Sequence, residues 1–292
     1  MSANQDKDDR PLAPGLYLVA TPIGNLEDIT LRALRVLRQA DRIACEDTRQ
    51  TQKLLNHFEI RTPTVSYHMH NEGSRTEELI TELKTGARIA VVSDAGTPGI
   101  ADPGGQIVAA ALAAGVDVFP IPGANAAISG LIASGLTTER FTFHGFLPAK
   151  AGQRKTALEE LARDNGTHIF YEAPHRILDT LADVGAVFGP EQHIVIAREL
   201  TKIHEEFLRG SVAGVRSQLA ARASVRGEIV LMLTATPVET EGKQITLAAE
   251  VATMMKSEGI SEMDALKRVA RERGIGKSEA YRELQREQNR RR

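Results

Sequence analysis

The sequence predicts an α/β fold, two α/β domains followed by a C-terminal helical module, and three observations carry that prediction. Short apolar runs alternate with helix-period segments from Leu16 to Leu233, the pattern of βαβ units and a mostly parallel sheet. Two successive apolar runs end in loops rich in glycine and proline, SDAGTPGIADPGG at 93–105 and PIPGANAA at 120–127. Such loops belong at the carboxyl ends of strands, where an open α/β sheet binds its ligands. From Leu247 onward the patterned segments are helical.

Leu16–Ala20 is the first strand, followed by TPIGNLEDIT. Asn25 or Asp28 can cap the next helix, Leu31–Gln39, whose Leu31, Leu34 and Leu37 fall at helical spacing. Arg42–Cys45 is a second strand, ending in Glu46-Asp47-Thr48-Arg49, and a helix then runs to about Phe58. Pro63–Tyr67 is a third strand, and Asn71-Glu72 opens a helix over Glu77–Lys84. The fourth strand, Ile89–Val92, leads into the 93–105 loop. There glycine permits positive φ and close backbone approach, while proline fixes φ. An Ala-rich helix over Gly104–Ala114, a fifth strand over Val116–Ile121 and a small-residue helix over Ala124–Ser134 follow, the last able to pack closely on the sheet.

The pattern changes at FTFHGFLPAK, 141–150, which suits a strand leading across a domain boundary. The alternation then resumes with helix Gln153–Arg163, strand Thr167–Tyr171, helix Pro174–Val187 and strand His193–Ala197. A polar loop, helix Val212–Ala221 and strand Glu228–Leu233 close the second half, with Pro237–Gly242 as linker. Three helices follow over Leu247–Lys256, Met263–Arg273 and Ser278–Glu287, with Ser261 and Ser278 as N-caps. With their tight Gly274-Ile275-Gly276 turn they resemble a helix-turn-helix. The expected organisation is a disordered tail over 1–14, α/β domains over 15–137 and 138–236, and a helical module over 237–292.

Length and composition agree. The 292 residues suffice for two ordinary domains, and 42% hydrophobic with 25% charged residues is a globular balance. No window approaches the roughly 20 apolar residues that span a bilayer, and the N-terminus lacks a signal-peptide pattern. Cys45, the single cysteine, reads as a buried strand residue; no disulfide framework or cysteine metal site is expected, and the compartment is the cytoplasm. Net charge is −2, yet residues 256–292 hold eleven Lys/Arg against seven Asp/Glu and end in three arginines. Solvated helix faces account for most of that charge, and the arginine run could add phosphate contacts.

The loops exclude common nucleotide chemistry. ATPIGN holds one glycine, so the G-x-G-x-x-G logic of dinucleotide enzymes is missing, as is the G-x-x-x-x-G-K-[ST] phosphate cradle. Asp94 and Asp102 would repel phosphate. Acidic groups with free backbone suit a nucleoside-type ligand bearing hydroxyls, an amine or a sulfonium.

LYLVATPIGNLEDIT, CEDTRQTQKLL, VVSDAGTPGIADPG, PIPGANA, YEAPHR and ARELTKIHEE, in this order and spacing, resemble the rRNA-modifying branch of the tetrapyrrole methylase superfamily. The resemblance runs from about Leu16 to Leu233. It implies two α/β domains with S-adenosylmethionine in the cleft between them, a homodimer, no metal, and 2′-O-methylation of a cytidine in the decoding region of 16S rRNA. By resemblance, the Pro22 loop and the loop carrying Ser93, Asp94, Ala95, Gly96, Thr97, Ala101 and Asp102 border the cofactor, as do Pro122 and Ala124. Tyr171, Glu172, Gly227 and Glu228 approach its adenine side.

A ribose hydroxyl is a weak nucleophile and gains from a base or a polarising cation. Glu46, Asp47, His68, His70, Lys202 and Glu205 are candidates, and Glu46, Asp47 or a Lys202 of depressed pKa is favoured. Arg49, His68 and Arg198 are assigned to the RNA, with Lys202 beside them. Glu199 and Lys202 could equally form a helix-type ion pair. Phe141, Phe143 and Phe146 read as core and interdomain packing rather than a base-stacking platform. Two rival readings stay open. One is a same-fold methylase acting on a tetrapyrrole or other small molecule; the other is a non-enzymatic nucleic-acid-binding ligand sensor.

Overall fold

Strands β1 (Gly15–Val19), β2 (Arg42–Cys45), β3 (Thr64–Ser66), β4 (Arg88–Val92) and β5 (Val118–Ile121) form one parallel sheet in the order β3-β2-β4-β1-β5. The chain is seen here in a computed structural model that describes residues 11–235 and 247–289. Helices α1 (Leu31–Gln39) and α2 (Thr48–His57) cover one face, burying Leu34, Leu37 and Leu55 with Val19, Ile43 and Val92. Helices α3 (Glu72–Lys84) and α4 (Gly105–Ala113) cover the other, burying Leu79, Leu83 and Ile107 with Leu16, Ile89 and Val91. Burial on both faces is why these strands read as continuous apolar runs. β1 feeds a helix on one face and its neighbour β4 feeds a helix on the other. The chain therefore diverges between them and leaves a crevice at their carboxyl ends.

Asn25 caps only a 3₁₀ turn over Leu26–Asp28. Thr30 caps α1 instead, its Oγ1 accepting from the Ala33 amide at 3.1 Å. The sequence expectation of Asn25 or Asp28 overlooked that short turn. Residues 1–10 of the expected tail lie outside the described residues. Its remainder is tied down: the Leu12 amide donates to Gln39 Oε1 at 3.1 Å, and Tyr17 Oη donates to the Ala13 carbonyl at 2.6 Å.

The second sheet joins β6 (Phe141–Phe146), β7 (Gly166–Glu172), β8 (His193–Arg198), β9 (Glu206–Ser211) and β10 (Ile229–Ala235) in the order β6-β7-β10-β8-β9. Only β6 and β7 run parallel; the other pairs are antiparallel. The expectation of a mostly parallel sheet fails here because EFLRGS, taken for a polar loop, is β9 and returns on β8 as a hairpin. Helices α6 (Ala151–Leu161), α7 (Ile177–Phe188) and α8 (Val212–Ala220) pack on one face around Leu158, Leu181, Val215 and Leu231. The opposite face is covered by α5 (Ala126–Ser134), the last helix of the first half. Ala127 and Leu131 pack there with Ile169, Val195 and Val230, and a Cβ on Gly130 would stand 3.3 Å from Met232 Cε. Small residues on α5 thus serve the second sheet, not the first.

Arg154 is buried at 4% exposure and bonds Asp183 through Nε at 2.8 Å and the Ala149 carbonyl through Nη1 at 3.2 Å. Removing one partner of a buried pair leaves the other charge uncompensated. Arg154→Ala should therefore cost about 3–5 kcal/mol in a urea titration, and a loss under about 1 kcal/mol would contradict the burial.

Contact clustering separates Pro237–Arg292 as its own unit. Its helices α9 (Leu247–Glu258), α10 (Glu262–Glu272) and α11 (Lys277–Asn289) share a core of Leu247, Val251, Leu266, Val269, Ala280 and Leu284. Ser261 caps α10, accepting from the Asp264 amide at 3.2 Å. Ser278 lies inside α11 and is not its cap. The expected linker at 237–242 and the arginines at 290–292 lie outside the described residues. No described helix is long and apolar enough to cross a membrane.

Candidate functional site

The loops after β1 and β4 lock onto each other. The Thr21 amide donates to the Gly96 carbonyl at 2.8 Å, and the Gly96 amide donates back to Thr21 at 3.0 Å. Ser93, buried, turns its hydroxyl onto the Ala95 and Gly96 carbonyls at 3.1 and 3.3 Å. Gly96 holds φ of 81°, and a Cβ there would stand 3.2 Å from Ile23 Cγ2. Both the conformation and the space ask for glycine. Thr97 latches the β5 loop by donating to the Ala124 carbonyl at 3.1 Å, while Asn125 caps α5 by accepting from the Ile128 amide at 3.1 Å. Ala101, further along the β4 loop, sits at φ 63°, a strained conformation of the kind that concentrates at ligand sites.

Facing these loops are the carboxyl end of β7 and the start of β10. Together they enclose a cleft of about 430 Å³, within the range of small-molecule sites. From the first half, Ile23, Glu46, the stretch Asp94–Thr97, Ile100–Asp102 and Asn125-Ala126 line it. From the second, the lining is Phe146, Tyr171–Pro174, Ala197, Leu200 and Gly227–Val230. Tyr171 meets Phe143 edge-on at 4.8 Å and Phe146 at 5.8 Å between ring centres. Phe146 is 56% exposed and borders the cleft, and Phe141 is also exposed. Of the three phenylalanines expected in packing, only Phe143 lies in the interior cluster.

The cleft is acid-walled. Burial, reinforced by the charges of Glu46 and Asp94, pushes the Asp102 carboxyl up to about 6. Burial and Asp94 also raise Glu46, against an opposing pull from His68. Glu46 has no hydrogen-bond partner among the described residues. Asp94 Oδ1 accepts from the Asp47 amide at 3.0 Å and so ties the β2 and β4 loops together.

The other predicted residues occupy different stations. Pro22, Ser93, Pro122 and Ala124 stand behind the lining and shape the loops rather than face the cleft. Glu172 lies at the cleft but its carboxylate is turned inward, accepting from Thr180 Oγ1 at 2.6 Å and the Ala173 amide at 2.8 Å beside Arg176. Asp47 caps α2, accepting from the Arg49 amide at 2.8 Å, a bond that lowers its pKa. Arg49 itself is 89% exposed and pairs only with Asp47. Arg198 is committed: it bonds Glu206, the Arg226 carbonyl at 3.0 Å and the His204 carbonyl at 3.3 Å. His68 is half-buried near Glu46, with Nδ1 buried and unpartnered.

Lys202 does not meet the condition set for a base. Burial presses its pKa down, but bonds to Glu199 at 2.8 Å and Glu228 at 2.9 Å carry it above the ordinary lysine value. The Glu199 pair is also not helical: Glu199 and Thr201 have φ of 53° and 67° in a turn after β8. A β-branched residue at positive φ is a genuine outlier, held here by the Thr201 amide donating to Glu205 Oε2 at 2.6 Å. The lysine stem crosses the β1 loop so closely that a Cβ on Gly24 would lie 2.4 Å from Lys202 Cγ. That contact joins the first and second halves at the cleft's edge.

Sequence reasoning missed Ile23, Ile100, Asn125, Phe146, Ala173, Pro174, Ala197 and Leu200. Asn125 had a signal, as the cap residue of PIPGANAA. The apolar residues had none, because a wall of apolar side chains reads as core.

Strand order, loop geometry and cleft define a methylase architecture. The chain belongs to the family of Tetrapyrrole (Corrin/Porphyrin) Methylases, whose sequence model matches residues 15–216. A Halalkalibacterium halodurans protein named ribosomal RNA small subunit methyltransferase I is 48% identical over 95% of this chain and 96% of its own length. A Synechocystis protein of the same name is 47% identical over 91% of this chain and 95% of its own. Among solved structures, a Thermus thermophilus uroporphyrin-III C-methyltransferase complexed with S-adenosylhomocysteine superposes with a TM-score of 0.54 at 20% identity, over 75% of this chain and 97% of that one. At that identity the likeness is one of fold.

Proposed function

We propose that the chain methylates ribosomal RNA of the small subunit with S-adenosylmethionine, and that the acceptor is the 2′-hydroxyl of a cytidine in the decoding region of 16S rRNA. The observation that carries the reading is near-full-length identity of 47–48% to proteins named for small-subunit rRNA methylation, coupled to an acid-walled cleft of nucleoside size. The cleft fits the cofactor by its chemistry. Asp94 and Asp102 offer negative charge to an ammonium and a sulfonium, Gly96 and Thr97 offer backbone, and Tyr171 with Phe146 offers an aromatic wall for a purine.

When bound, S-adenosylmethionine supplies a methyl group on a positively charged sulfur. Glu46 takes the proton of the ribose hydroxyl. It is the one favoured carboxylate in the cleft lining without a structural task, and burial has moved its pKa toward working pH. Asp47 is used as a helix cap and Lys202 as a bridge between Glu199 and Glu228, so neither is free for that role. Arg49, exposed at the amino end of α2, meets the RNA phosphate. The proposal includes a cytoplasmic homodimer, to which Ile128 and Ile132, exposed one turn apart on α5, offer apolar surface.

Asp102 makes the cofactor affinity depend on pH. The folded chain holds this proton more tightly than the unfolded one, so Asp102's contribution to stability is complete below the ordinary Asp range and fades as pH rises through about 6. Binding a cation needs the ionised form. Calorimetric affinity for S-adenosylmethionine should thus fall by about threefold to tenfold from about pH 7.5 to about pH 5, with Asp102→Asn weaker and flat. A wild-type profile as flat as the variant's would contradict the role.

The finer claim is tested by alkaline hydrolysis of rRNA labelled by the enzyme. One dinucleotide resistant to alkali, containing the labelled cytidine, is expected. Label released from a mononucleotide would place the methyl on a base and overturn the 2′-O assignment.

A further inference from the structure

The helical unit carries a groove that the methyl-transfer chemistry leaves unused. Met263 and Lys267 on α10 and Lys277, Tyr281 and Arg282 on α11 surround a hollow of about 380 Å³, with Leu266 buried at its floor. Met263 and Tyr281 are 54% and 48% exposed, in a unit whose remaining large apolar side chains are mostly drawn into its core. Elsewhere on the unit cations are matched: Arg268 pairs with Glu258, and Arg273 with Glu250 and Glu283. Around the groove they are not. Lys277 and Arg282 have no carboxylate partner among the described residues, and Lys267 shares one exposed contact with Asp264 at 3.0 Å.

An exposed ring beside unneutralised cations is the arrangement that holds unpaired nucleic acid, the base stacking on the ring and the phosphates meeting the charges. An amphipathic helix from a protein partner would need a longer apolar stripe than Met263 and Tyr281 provide. We infer that this groove binds an unpaired nucleotide of the rRNA substrate, with its base on Tyr281 and its flanking phosphates on Lys277 and Arg282. The inference rests on the rRNA-methylation reading and adds to it a second RNA contact, on a separate unit of the chain.

The test uses the full chain and a fluorescent single-stranded RNA of decoding-region sequence, followed by anisotropy across a salt series. Tyr281→Ala should weaken binding by about tenfold, and Tyr281→Phe should keep wild-type affinity because stacking survives. Lys277→Gln with Arg282→Gln should reduce the slope of log affinity against log salt by about two. Unchanged helicity and unchanged S-adenosylmethionine affinity would show that the chain remains intact. Variants that bind RNA with wild-type affinity and slope overturn the inference. So do variants that bind free RNA normally yet lose assembled subunits, because the groove would then hold a ribosomal protein. A wild-type chain that binds cofactor but neither RNA nor subunits would instead overturn the methylation reading itself.

Discussion

Gly96→Val is expected to weaken S-adenosylmethionine binding by at least about a hundredfold, equivalent to about 2.7 kcal/mol, while the chain stays folded. Three effects add at this position. Valine is β-branched and resists the φ of 81° that Gly96 holds. Its Cβ would enter at 3.2 Å from Ile23 Cγ2, and Ile23 is buried at the base of the cleft, where it has little room to retreat. Relief of either strain must pull apart the reciprocal backbone bonds between Thr21 and Gly96, which are what hold the two loops in register. The sheet cores, built from Val19, Ile43, Val92 and their helix partners, lie below this loop and are untouched. Calorimetry and circular dichroism on the same sample separate binding from folding. Affinity within about threefold of wild type would mean that the loop does not shape the site.

Glu46→Gln should lower kcat by about 10²–10⁴-fold, the usual contribution of a positioned base, and leave the cofactor affinity close to wild type. The substitution keeps size and polarity and removes only the ability to take a proton. The pH profile gives a sign as well as a size. Glu46 is raised above the ordinary carboxylate value by burial and by Asp94, and it works only when ionised. The wild-type rate should therefore climb with pH through that raised value, and the limb should vanish in Glu46→Gln. Asp47→Asn is the natural control. Asp47 caps α2, so this change should cost about 1 kcal/mol of stability or less, with kcat nearly intact. The reverse ranking of the two variants would move the base to Asp47.

The first half of the fold was legible because its physics is local. Its strands are buried on both faces and its helices carry an apolar stripe, so both periods are written plainly in the sequence. The second half was harder. β9, with Glu206, Arg209 and Gly210 among its six residues and no residue fully buried, carries no apolar run; it forms because β8 offers it an edge. Missing it hid the antiparallel character of the second sheet. α5 announced close packing through its small residues but not its partner, since a helix pattern does not say which sheet it will meet.

The site divided along the same line. Asp94, Gly96, Thr97 and Asp102 stood out as turn formers and charges in a strand-end loop. Phe146, Ala197 and Leu200 did not, because their roles depend on which surface the second half turns toward the first. Charge assignments suffered most: Arg198, Lys202 and Glu172 were read as ligand contacts, yet each is engaged by neighbours that only the fold brings near. Whether a charged side chain is free or committed is a tertiary property.

The most direct test of the central claim is methyl transfer from labelled S-adenosylmethionine to small ribosomal subunits that lack their own methylation at the target cytidine, with a tetrapyrrole precursor offered in parallel. Label on the 16S rRNA of the subunits, dependent on Glu46, is the predicted result. Subunits left unlabelled while the tetrapyrrole takes the methyl group would contradict the account, keeping the fold and overturning the function.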